Sequence, residues 1–151
     1  MNAESPQALQ ERIHRAIERD EPQPKSYLAF QVAANLWVVE FSQVSTVMTC
    51  GHITRLWSGY GMPRSVVGIS TSGEEILTVI DAGLVLGARP VAVSLKSRML
   101  TFTTQHLRGI ALLVDRVLEP LTAEQLSAIT EPYEHLDVGA ISQKINLGVA
   151  K

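Results

Sequence analysis

After Lys25 the chain is a succession of short, β-rich apolar runs, each stopped by turn residues before it grows long. Tyr27 to Val32 and Leu36 to Phe41 flank Ala33-Ala34-Asn35, a spacing that predicts a hairpin. Val44, Val47 and Met48, then Ile53, Leu56 and Trp57, form a third and a fourth stretch. Ser65 to Ile69 and Ile76 to Ile80 form a strand pair with Gly73 at its turn. Arg98 to Thr103 and Leu107 to Val114 make another around Gln105-His106. Val138 to Ile141 and Ile145 to Val149 predict an alternating, strand-like close. Strands this short, with turns this frequent, are the mark of small antiparallel barrels rather than of a helix bundle or a wound parallel sheet. At 151 residues one domain of ordinary size is expected, large enough for a core without covalent staples.

Helix is predicted at only a few places. Residues 5 to 20 read as a short helix, with Ser5 as cap and Pro6 at the first helical position. Leu9, Ile13 and Ala16/Ile17 recur at helical spacing. The Glu21-Pro22-Gln23-Pro24 run ends it and makes a stiff linker. The expected organisation is therefore an N-terminal arm over residues 1–24 and a β domain over 25–151. The arm either packs loosely on its own domain or docks on a partner. Asp81 opens a helical turn over 82–86, ended by Gly87 and Pro90. Leu121 to Leu126 is a capped turn, with Thr122 as cap and Gln125 at the capping-box position.

Composition excludes more than it proposes. Thirteen basic and fifteen acidic side chains leave a net charge of −2, which removes the electrostatic case for nucleic acid or an anionic membrane. No apolar run reaches the roughly 20 residues a bilayer needs, and the polar N-terminus does not resemble a signal peptide. A single cysteine, Cys50, excludes an intrachain disulfide framework and fits a reducing, cytoplasmic setting. Cys50 and His52 are two possible zinc ligands, which is not a site. The Gly68 to Gly73 segment fails the spacing of a serine nucleophile elbow because Ser72 stands where glycine is needed. Gly59-Tyr60-Gly61 lacks the third glycine and the strand–helix context of a phosphate loop. Asp81 and Asp115 are expected to cap the segments directly after them. No catalytic set, cofactor site or metal site emerges, and an enzyme is not expected. Trp57 and Tyr60 flank the glycine-rich connector, as interface anchors or, for Trp57, as a plug between subdomains.

Three segments, in order, resemble the CheW-like adaptor family of bacterial chemosensory systems. Tyr27-Leu28-Ala29-Phe30-Gln31-Val32 followed by Val44 to Met48 is similar to the family's YLxFxL … VxEVL. Val67 to Gly73 followed by Ile76 to Gly87 looks like GVINLRG and a PVIDL-type strand. Leu107 to Val117 followed by Leu121 to Leu126 resembles GLLVDEV and the turn behind it. The resemblance spans about residues 26 to 149. It implies a mainly β fold of two SH3-like, five-stranded barrel subdomains around a shared core, and no enzymatic activity. It further implies an adaptor between chemoreceptor cytoplasmic tips and the regulatory domain of a CheA-type histidine kinase. By resemblance the receptor-facing groove takes Val44, Thr46, Val47, Ile69, Ser72 and Gly73, although apolar Val44, Val47 and Ile69 equally suit a core.

The chain departs from the family pattern at defined places. The glutamate of VxEV and the arginine of NLRG are replaced by Thr46 and Ser72, and a strand proline by Thr78. Losing both charges together implies a remodelled surface, as in a divergent adaptor of a type IV pilus (twitching) or other non-flagellar pathway. The alternative is a related interaction module that binds a different signalling partner and no longer couples to receptors. The family's C-terminal helix is expected to be missing, since the chain stops at Lys151.

Overall fold

The computed structural model describes residues 25–55 and 63–147. The arm helix expected over 5–20, Trp57 and Tyr60 lie outside the described residues. Eleven strands among those described form two sheets. The first holds β1 (Ser26–Val32), β2 (Asn35–Glu40), β9 (Arg116–Val117), β10 (Leu121–Thr122) and β11 (Tyr133–His135). The second holds β3 (Val44–Thr49), β4 (Thr54–Arg55), β5 (Val66–Ser72), β6 (Glu75–Asp81), β7 (Arg98–Phe102) and β8 (Ile110–Val114), in the order β3-β7-β8-β6-β5-β4. The two-residue β4 makes this sheet six-stranded, one more than expected.

Each hairpin forms where local sequence predicts it. In β1–β2 the register runs from Tyr27 opposite Glu40 to Val32 opposite Asn35. Its turn forces Ala33 to φ +55, an uncommon conformation for a residue with a Cβ. The Asp115 carboxylate, from the far end of β8, accepts the Ala33 N–H and holds that turn. The Asp115 N–H in turn donates to the Gln31 carbonyl at 3.0 Å. Asp115 therefore ties down a distant turn and does not cap its own neighbours. Asp81 does cap the helical turn next to it. Its carboxylate accepts from Leu84 N–H at 3.2 Å at the start of α1 (Ala82–Val85) and from Val91 N–H at 2.9 Å. The β5–β6 turn places Gly73 at φ +61, the left-handed region that glycine enters without strain. Thr122 and Gln125 form a complete capping box on α2 (Ala123–Ser127).

Two features run against the sequence expectation. The tail is helical, α3 (Val138–Leu147), so the strand-like close expected over 138–141 and 145–149 is incorrect, and a C-terminal helix expected to be missing is present. Val138, Ile141 and Ile145 are buried at i, i+3 and i+7, one face of a helix, and the Asp137 carboxylate accepts the Ala140 N–H at 3.2 Å. Two pairings are parallel, β6 with β8 and β2 with β11, so the sheets are not purely antiparallel. The separation of β9 from β10 also has a chemical cause. Pro120, with no N–H to offer β1, falls between them, and Leu118 N–H bonds the Ala29 carbonyl across the break at 2.8 Å.

The β1–β2 hairpin is a wall between two cores, because successive strand residues point to opposite faces. Leu28, Phe30 and Val32 face a large core shared with Leu77, Val79 and Ile80 of β6, Met99 and Leu100 of β7, and all of β8 from Ala111. Ile141 and Ile145 of α3 close it. Ala29, Leu36 and Val38 face the other way, into a small core completed by Leu126 of α2 and half-buried Leu118, Leu121 and Ile129.

Candidate functional site

The six residues expected at the groove fall into two groups. Val44, Thr46 and Val47 belong to β3, an edge strand paired only with β7 among the described residues. Ile69 and Ser72 belong to β5, and Gly73 makes its turn. In sheet order β7, β8 and β6 separate the two groups, and no strand pairing joins them. None of the six is fully buried. Val47 is 42% exposed, so full core packing fails for it, while Val44 is half-buried against the large core. Ile69 is half-buried, paired with Thr54 of β4.

Between the two groups lies a cleft of about 130 Å³. Ser45, flanked by Val44 and Thr46, lines one side, and Glu75, the register partner of Ser72, lines the other. Thr101, Thr103 and the Gln105–Leu107 turn contribute to its lining. These cleft residues carry no sequence signal of their own, because they meet only through the curl of a three-strand span. The walls are hydroxyl-rich. Thr46 and Thr101 share a hydrogen bond between their side-chain oxygens, and Thr101 Oγ1 also accepts the Thr46 N–H at 3.1 Å. Thr103 N–H donates to the Gln43 carbonyl at 2.9 Å, tying β7 to the turn before β3. The Thr46 hydroxyl is thus engaged within the protein.

The β4–β5 edge is held by close backbone approach. At Gly68 an added Cβ would meet the Thr54 carbonyl oxygen at 2.1 Å, so only glycine admits β4 across this strand. Ser70 donates its hydroxyl to the His52 carbonyl at 3.1 Å and is buried. That is a structural bond rather than the setting of a nucleophile. Burial pushes the Cys50 thiol up, with nearby Arg98 opposing, so the thiolate needed for metal ligation or attack is disfavoured. Burial likewise raises the Asp81 carboxyl, opposed by its backbone N–H donors, and those bonds occupy it as a cap. Among the described residues no three metal-ligating side chains gather, and no helix is long and apolar enough to cross a membrane. This face presents an edge strand, exposed Val47, a hydroxyl-rich cleft that Glu75 and Arg108 also line, and the glycine turn beside it.

Comparison with known proteins agrees with that architecture. A family model for the CheW-like domain matches residues 26–147. The crystal structure of the scaffolding protein TtCheW from Thermoanaerobacter tengcongensis superimposes with a TM-score of 0.58 at 25% sequence identity. That match covers 66% of this chain and 66% of TtCheW, just under two thirds of the latter's length. The two sheets correspond to the paired SH3-like subdomains of that fold. No curated protein sequence matches the chain.

Proposed function

Since the chain belongs to the CheW-like domain family, whose members are non-catalytic adaptors, we propose that it couples a CheA-type histidine kinase to chemoreceptors in a bacterial chemosensory assembly. The observation that carries this reading is the family match across both sheets, from β1 into α3. In this reading the kinase regulatory domain meets exposed strand edges and turns. The receptor tip meets the face formed by Val44, Thr46 and Val47 with Ile69, Ser72 and Gly73. The protein works in the cytoplasm, recruited to receptor arrays, and a twitching-type pathway suits its altered surface.

A second reading is favoured by one specific observation. At the positions where the family carries glutamate and arginine, this chain presents Thr46, hydrogen-bonded to Thr101, and Ser72. A surface that recognised its receptor through opposite charges loses both, and complementary charge sets partner choice more than raw affinity. The partner at this face is then a different signalling protein.

Calorimetry with the full chain separates the two. A CheA-type regulatory domain and a receptor-tip fragment are titrated separately, with Thr46→Glu/Ser72→Arg as a third arm. Micromolar kinase binding supports the adaptor reading. A receptor signal that emerges only in the double variant supports the changed clientele, and no kinase binding withdraws the function while leaving the fold intact.

A further inference from the structure

Among the described residues the small core is open at one side. A groove of about 500 Å³ runs over the first sheet, lined by apolar Leu36, Leu118, Leu121 and Ile129, with Glu119 and Glu131 exposed at its rim. Buried Leu36 and half-buried Leu118, Leu121 and Ile129 inside an acidic rim call for an occupant with an apolar stripe and cations beside it. The chain contains such a segment. At roughly 100° per residue, Leu9, Ile13 and Ile17 share one helical stripe, and Arg12 and Arg19 border it on one side. Glu11 and Glu18 fall on the opposite face, away from an acidic rim. Connectivity brings the two together. Lys25 leads into β1, where Tyr27 lies opposite Leu121, a wall residue of the groove. The four linker residues from Glu21 to Pro24 span up to about 14 Å, enough to turn back toward it. A tether of that length also supplies a millimolar-range effective concentration, so a weak contact suffices.

We propose that the apolar stripe of this chain's own residues 9–17 occupies the groove over the small core, with Arg12 and Arg19 facing Glu119 and Glu131. The surface is then an internal docking site. This inference stands on the groove and the arm, independently of the adaptor reading.

Two measurements on the full-length protein test it. On a Cys50→Ser background, Ala16→Cys is paired either with Ala128→Cys at the groove or with Glu74→Cys on the β5–β6 turn. Mild oxidation at low protein concentration is expected to close an intramolecular disulfide with the first pair and not with the second. Hydrogen exchange is then compared between the native chain and Ile13→Asp, a substitution in the middle of the arm's apolar stripe. Amides across 118–131 are expected to lose protection in Ile13→Asp while those of β8 keep theirs. Equal cross-linking at both positions, links only between molecules, or unchanged exchange across 118–131 would each overturn the proposal.

Discussion

The two halves of the protein are built from similar strands and yet are packed very differently. The second sheet presses β6, β7 and β8 against one face of β1–β2, and many of the side chains it contributes there are fully buried. The small core has four buried residues, Ala29, Leu36 and Val38 of the first sheet and Leu126 of α2, and otherwise half-buried neighbours. The same hairpin serves both, so the small half borrows a rigid wall from the large one. Cooperativity should therefore run one way. Damage to the shared core reaches both halves, while damage to the small core stays local.

Leu112 gives the largest expected effect. It is wholly buried at the centre of β8, and Leu112→Ala should remove about 3–5 kcal/mol, with both sheets melting together in calorimetry. A transition that left the first sheet intact would break the comparison. Leu126→Ala, in the small core, should cost about 2–3 kcal/mol, the low end for a site that faces an open groove. Exchange should rise across 118–131 before the global transition, and β7 and β8 should keep native protection. The smallest effect is a slope. Asp81 has a carboxyl raised by burial in the folded chain, so the folded state holds its proton more tightly than the unfolded one. Native stability relative to Asp81→Asn should then grow as pH falls through the raised value and level off below the ordinary carboxylate range. The gain should appear in the second sheet's exchange, where Asp81 sits, and in denaturant melts run across pH.

Local chemistry decides how much of this is legible in the sequence. The β1–β2, β5–β6 and β7–β8 pairs are hairpins whose turn residues and alternation lie within a short window, and all three form as expected. The Thr122–Gln125 capping box is likewise a four-residue pattern. The tail reads as strand because Val138, Ile141 and Ile145 are β-branched and Gly139 interrupts them, although their spacing and the Asp137 cap are helical. The parallel pairing of β6 with β8 joins strands that the whole of β7 separates in the chain, and no local pattern announces it. At the candidate site, residue identities at 46 and 72 are visible in sequence. The Thr46–Thr101 bond and the cleft from Ser45 to Glu75 depend on non-local register and are not.

The double tie at Asp115, from its carboxylate to Ala33 and from its N–H to Gln31, has a consequence for the order of assembly. Residues 26–40 can close their hairpin as soon as they are made. The strands that complete their sheet come from 116–117, 121–122 and 133–135, so this first-made hairpin is the last to gain its partners. Such distant pairing carries a large loop-closure cost and folds slowly. During synthesis the hairpin exposes two apolar faces until the strands as far as residues 133–135 have emerged. The interval before residue 115 arrives is the window in which this protein is most open to misassembly, and to the chaperones that guard against it.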